Sequence, residues 1–134
     1  MVVAQAAAFQ VHGVALNGEL TCGENTADLG GLRLAYAALE ATYAAKGEAL
    51  SGPEAARCPR GFTPQQRFFL AWAQVWRSNE TKERALQMVT LDPHGPHELR
   101  TNGPLSNMPE FHEAFGVSAS DPMFREPADR VDIW

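Results

Sequence analysis

From Leu29 onward the apolar residues fall at Leu29, Leu32, Tyr36, Leu39 and Tyr43, steps of three and four that an α-helix gathers onto one face. The stretch that leads into them, Gly23-Glu24-Asn25-Thr26-Ala27-Asp28-Leu29-Gly30-Gly31, sets two carboxylates four residues apart. On a helix that spacing puts Glu24 and Asp28 on one face, one turn apart. The pattern predicts an amphipathic helix from about Glu24 to about Ala45 with an acidic first turn. Gly30 and Gly31 each cost about 1 kcal/mol relative to alanine inside a helix, and close approach of another backbone is a reason to keep them. On spacing alone, Glu24 and Asp28 are better accounted for by complementing the helix dipole than by a metal site.

The chain has 134 residues, at most one ordinary domain. With 45% apolar and 20% charged residues it falls in the soluble globular class. A net charge of -5 argues against a nucleic-acid binder, which needs a basic face. No run is long enough for a membrane span, and residues 1–9 lack the basic start of a secretory signal. Cys22 and Cys58 are too few for a disulfide framework or a cysteine-ligated zinc. They read as small, mostly buried thiols that could pair only in an oxidising compartment.

Residues 1–20 read as a short apolar start and an extended segment, with Gly13 and Asn17-Gly18 as turn signals. Residues 47–62 hold Gly47, Gly52, Pro53, Pro59 and Gly61, too many breakers for a regular element, and read as a surface loop. Thr63-Pro64-Gln65-Gln66 opens a second helix: Thr63 can cap, Pro64 suits the first position, and Gln66 completes a capping box. Phe68, Phe69, Ala71, Trp72, Val75 and Trp76 then form an apolar band too wide for a helix with one wet side. A third helix fits Glu80 to Leu91, with Ala85, Leu86 and Val89 inward, ended by Asp92-Pro93. The prolines and glycines of residues 92–107 predict a loop that aims side chains. Pro96 spoils the helical geometry that His94 and His97 would need as a metal pair. Asn107-Met108-Pro109-Glu110 reads as the capped start of a fourth helix, with Phe111 and Phe115 toward the core and Gly116 as its stop. The fold class is mainly α, about four helices with irregular loops.

Three of these stretches, in this order, resemble the signatures of the M13 zinc metallopeptidases of the neprilysin and PepO type. Residues 23–31 resemble GENxADxGG, with Thr26 in place of the usual Ile and Cys22 in place of a preceding Leu. The resemblance makes Glu24 the third protein ligand of a catalytic zinc and Asp28 a residue that orients a zinc-binding histidine. Residues 67–76 resemble RFFLxxAQxW, which implies that Val75 and Trp76 help line the pocket for the residue after the scissile bond. Residues 92–107 resemble DxHSPxxFRVxGxLxN, which casts His94 as donor to the oxyanion of the tetrahedral intermediate and Arg100 as the group that binds a substrate carbonyl. Gly95 stands where Ser is usual, which would loosen the turn holding His94. Leu99 stands where Phe is usual, which would alter the packing behind Arg100. His97 has no role in the family and reads as exposed. The tail also resembles the family's C-terminus, which closes on a docked Trp, here Trp134.

The family's zinc takes two further ligands from an HExxH helix that precedes the GENxAD helix, and the HExxH glutamate is its general base. This sequence holds no HExxH. Its two His-Glu pairs, His97-Glu98 and His112-Glu113, have Thr101 and Gly116 where the second histidine would fall. The resemblance therefore implies that residues 1–134 are the C-terminal part of a catalytic domain, in the catalytic lobe of a gluzincin-type metalloendopeptidase. It would act on peptides with one zinc ion completed by histidines from elsewhere, on a missing N-terminal part or a separate chain, and be inert alone. The surface around Gly30 and Gly31 is where the missing helix would pack. The alternative is a non-catalytic peptide-binding or interaction module derived from a peptidase. The family usually works in the periplasm, outside the cell or anchored to a membrane; no signal in the sequence assigns a compartment.

Overall fold

The computed structural model describes residues 1–55 and 61–133, so the expectations for Cys58 and Trp134 lie outside the described residues. The described chain is mainly α: α1 (Val2–Ala7), a two-stranded hairpin of β1 (Gln10–Val11) and β2 (Val14–Ala15), then α2 (Cys22–Lys46), α3 (Pro64–Val75), α4 (Lys82–Leu91), α5 (His97–Ser106) and α6 (Pro109–Phe115), with a short 3-10 turn at Pro127–Asp129. The opening segment differs from its expectation. The apolar start is helical, and the extended part folds back on itself at His12-Gly13, whose φ values of 49° and 84° suit the tight turn that right-twisted strands prefer.

The long helix behaves as its periodicity predicts. Asp28, Leu29, Gly30, Leu32 and Tyr36 are buried, and Gly47 ends the helix with φ 67° while its N–H and that of Glu48 bond back to the last turn. α2 packs against α1 and α5, and α3 packs against α5 and α6. Of the two glycines at which a close backbone approach is expected, Gly30 is buried and Gly31 is open among the described residues, and the tight approach appears at Gly18. A Cβ at Gly31 would meet nothing within 4 Å, whereas one at Gly18 would lie 2.3 Å from the carbonyl oxygen of Val3.

α3 opens with the expected capping box: Thr63 Oγ1 accepts from the Gln66 N–H at 3.2 Å, and Gln66 Oε1 accepts from the Thr63 N–H at 3.0 Å. Its Phe69 centres the larger core, with Leu32, Tyr36, Leu105, Met108 and Phe111 around it. The ring of Phe69 stacks on Tyr36 at 5.5 Å and meets Phe111 edge-on at 5.5 Å. Phe115 does not enter this core as expected. It is 38% exposed and rests on its rim, 5.3 Å from the Phe111 ring. A smaller core joins Ala6, Leu16, Val89 and Leu99 across α1, α4 and α5.

Two further corrections concern the segment 92–107. The expected loop is largely helix, and Asn107 is not the cap of α6, whose first turn has no side-chain cap. Asn107 is instead a buried tie. Its Nδ2 donates to the Gly103 carbonyl at 2.8 Å and to Gln5 Oε1 at 3.0 Å, and its Oδ1 accepts from the Val131 N–H at 2.8 Å. One amide thus joins α1, α5 and the C-terminal tail.

Candidate active site

The start of α2 is set by an exposed turn in which Asn17 Oδ1 accepts from the N–H groups of Glu19 and Leu20, both at 3.1 Å. Thr21, fully buried, donates to the Asn17 carbonyl at 3.1 Å and accepts from Asn25 Nδ2 at 3.0 Å. These bonds fix the first turn, from which Glu24 projects with its side chain 42% exposed. Asp28, one turn on, points inward.

His94 arrives from the short link between α4 and α5. Asp92 Oδ1 accepts from the His94 backbone N–H at 2.8 Å and lies 2.7 Å from its Nδ1, so one carboxylate oxygen holds both the turn and the ring. These two bonds, the backbone one foremost, hold the Asp92 carboxyl below its ordinary range. On its other side, His94 Nε2 lies 3.2 Å from Glu24 Oε2. Both ring nitrogens face carboxylate oxygens, and only the doubly protonated ring can donate to both.

Arg100 is fixed more firmly. Its Nε and Nη2 donate to Asp28 Oδ2 and Oδ1 at 2.7 and 2.8 Å, a two-bond fork, with side chains 14% and 9% exposed. The guanidinium carbon sits 3.8 Å from the centre of the Trp76 ring. The Arg100 carbonyl accepts from Trp72 Nε1 at 3.1 Å.

The structure therefore brings four of the six candidates, Glu24, Asp28, His94 and Arg100, into two contacting pairs on one side of α2. Trp76 joins them through Arg100, and its own Nε1 is buried with no hydrogen-bond partner among the described residues. Val75 stands apart, 70% exposed. The cavity next to the site, about 230 Å³, is walled by Met88, Val89, Asp92, His94, His97 and Arg100 among others, and neither Val75 nor Trp76 lines it. His97 is half-buried rather than exposed: its Nδ1 contacts Ser78 Oγ and its ring lies 6.0 Å from that of Trp76.

The two departures at 95 and 99 touch each other. A Cβ on Gly95 would come within 2.9 Å of Leu99 Cδ2 and 3.2 Å of Asn25 Oδ1, so a side chain at 95 would press on both. Sequence reasoning missed the Asp28–Arg100 fork, the Trp72 bond and the part played by Asp92. Only the last has a local signal, an Asp two residues before the amide it caps.

As for a metal, Glu24 offers one carboxylate, while both oxygens of Asp28 are taken by Arg100. No group of three His, Cys, Asp or Glu among the described residues is placed to hold an ion. The donor chemistry suits one ligand of a zinc site, which needs at least three from the protein.

Nearly all of the sequence is similar to known proteins. Residues 2–131 match the model of Peptidase family M13. The chain is 40% identical to neprilysin-1 of Caenorhabditis elegans over 121 residues, which is 89% of this chain and 15% of that protein. It is 39% identical to human endothelin-converting enzyme 1 over 132 residues, 98% of this chain and 16% of that one. The chain thus spans about a sixth of the length of the curated relatives it matches. The inhibitor complex of Mycobacterium tuberculosis zinc metalloprotease ZMP1 superposes with a TM-score of 0.88 at 34% identity, covering 99% of this chain and 20% of that one. For PepO of Lactobacillus rhamnosis the values are 0.78 and 32%, covering 99% and 18%. With its sequence matched nearly end to end and its helices laid over those of solved relatives, the chain belongs to peptidase family M13.

Proposed function

We propose that residues 1–134 are the C-terminal part of the catalytic domain of a zinc-dependent metalloendopeptidase, in which Glu24 is the third zinc ligand and His94 and Arg100 handle the substrate. The observation that carries this reading is the meeting of two distant motifs: Glu24 lies 3.2 Å from His94, and Asp28 2.7 Å from Arg100. An HExxH segment outside this sequence would supply the other two ligands and the general base. When bound, the zinc would polarise the scissile carbonyl and activate a water.

This chain's own residues then have separable tasks. His94, oriented by Asp92, donates a hydrogen bond where negative charge develops on the carbonyl oxygen; removing such a donor typically costs about 10²–10³ in kcat. Arg100 gives two of its five N–H donors to Asp28, and the remaining donors bind a backbone carbonyl of the peptide. Asp28 both fixes and neutralises that guanidinium, and by the family resemblance also steadies a zinc-binding histidine. Trp76, with Val75 beside it, forms one wall of the pocket for the residue after the cleaved bond, the opposite wall coming from the missing part.

The exposed face of α2 fits this incompleteness. Ala27, Gly31, Leu34, Ala35 and Ala38 are exposed there, Leu34 by 63%, on the face continuous with Glu24. In this reading the HExxH-bearing segment packs on that face. No helix among the described residues is long and apolar enough to cross a membrane.

Elemental analysis and peptide hydrolysis, on the chain alone and mixed with an HExxH-bearing M13 segment, test the proposal. The expected result is no stoichiometric zinc and no hydrolysis alone, and both in the mixture, lost again with Glu24→Ala. A full zinc per isolated chain, or hydrolysis that survives Glu24→Ala, overturns it. Peptide binding without zinc, with an inert mixture, would move the reading to a non-catalytic peptide-binding module.

A further inference from the structure

α5 carries a proline in its interior, Pro104. Proline has no N–H, so the carbonyl four residues earlier loses its helical donor, and the ring pushes that carbonyl outward. Four residues before Pro104 is Arg100. Its carbonyl is not left unpaired: the indole N–H of Trp72, from α3, donates to it at 3.1 Å. The same indole meets the Trp76 ring edge-on at 5.6 Å, and Trp76 carries the Arg100 guanidinium on its face. Trp72 thus touches the main chain of Arg100 directly and its side chain through one intervening ring.

We propose that Trp72 is a positioning residue, whose indole N–H replaces the donor that Pro104 removes and so sets where Arg100 sits on α5, with its guanidinium on Asp28 and Trp76. The inference deepens the reading of Arg100 as a substrate-binding group and rests on that reading for its functional meaning. Phenylalanine at 72 would keep the apolar body and the ring contact but leave the carbonyl without a donor. Alanine at 104 would give the helix its own N–H back and make the indole bond dispensable. The two substitutions are therefore coupled, with the second cancelling the harm of the first.

The test uses the full chain without zinc or substrate, so its failure and that of the proposed function are separable. Hydrogen exchange of the Arg100 Nε–H, followed by ¹H–¹⁵N NMR, reports whether the Asp28 fork is held. Trp72→Phe should speed that exchange by about tenfold, the effect of one net hydrogen bond on a local opening. Adding Pro104→Ala should restore it to near the parent rate. In Pro104→Ala alone the Trp72 indole resonance should shift as its acceptor becomes shared, with Arg100 exchange unchanged. Arg100 exchange unaffected by Trp72→Phe, or equally fast in both backgrounds, overturns the proposal. If Trp72→Phe does not fold, the double variant decides: folding with parental Arg100 exchange supports the proposal, and failure to fold refutes it.

Discussion

Replacing Asp28 with asparagine removes one charge from the Asp28–Arg100 pair and changes little else in shape. The fork of 2.7 and 2.8 Å becomes at best a single bond, because an amide presents one oxygen where the carboxylate presented two. Both side chains are largely withdrawn from water, at 9% and 14% exposure. Breaking a buried pair on one side costs about 3–5 kcal/mol, since the other charge stays uncompensated. Two features reduce the figure. The asparagine oxygen still accepts one N–H, and the Trp76 face keeps an attraction of about 0.5–2 kcal/mol for the guanidinium. The expected loss is therefore about 2–3 kcal/mol. With a urea slope of about 1.5 kcal/mol/M, the unfolding midpoint should fall by about 1.3–2 M. The drop should persist in about 0.5 M salt, because a buried pair is poorly screened. The more exposed Arg33–Glu110 pair, at 23% and 27%, is the internal comparison: Glu110→Gln should cost about 0.5–1 kcal/mol and less in salt. Using the isolated chain keeps any effect on a zinc-binding histidine out of the measurement. A midpoint change below about 0.5 M, or one that salt erases, would show that the fork is not a buried structural pair and that Arg100 is held by other contacts.

Gly95→Ser, which restores the family's usual residue, should destabilise the chain by about 1–3 kcal/mol in urea unfolding, because its Cβ would sit 2.9 Å from Leu99 Cδ2; no loss would mean that Leu99 yields freely. The Asp92 carboxyl titrates below the ordinary 3.8, so its contribution to stability is complete above that value and fades as pH falls through the lower folded value. Asp92→Asn should therefore lower the melting temperature near about pH 7, and the gap to the parent should narrow as pH falls below 3.8, whereas a gap independent of pH would contradict the assignment.

Much of the fold follows from local chemistry. The periodicity from Leu29 to Tyr36, the glycine stop at Gly47 and the Thr63 capping box each act over a few residues, and each element forms where those signals place it. The site was legible to a different degree. The motifs around Glu24, His94 and Arg100 name the residues, but neither spacing nor composition says that Asp28 and Arg100, 72 positions apart, will share two hydrogen bonds. That pairing depends on how α5 lies against α2, a tertiary fact. Val75 shows the converse. An apolar residue in a wide apolar band reads as buried, yet it is 70% exposed, because burial of that face requires surface that the described residues do not supply.

The segment 92–107 shows why breaker residues mislead when counted rather than placed. Pro96 precedes α5, where its fixed φ of -60° and extended ψ make a proper entry and its missing N–H costs nothing. Gly103 lies beside Leu99, and a Cβ there would come within 3.0 Å of Leu99 Cδ1, so glycine answers a packing constraint rather than a need for flexibility. Pro104 alone violates a helix rule, and its damage is confined to the carbonyl of Arg100, which a side chain from another helix satisfies. A propensity sum treats these three residues as one loop signal. Resolved by position, they permit a helix whose single defect is repaired at the residue assigned to substrate. The bond also ties three helices together: α3 meets the main chain of Arg100 through Trp72, and α2 meets its side chain through Asp28, so the placement of Arg100 draws on packing between elements rather than on either motif alone.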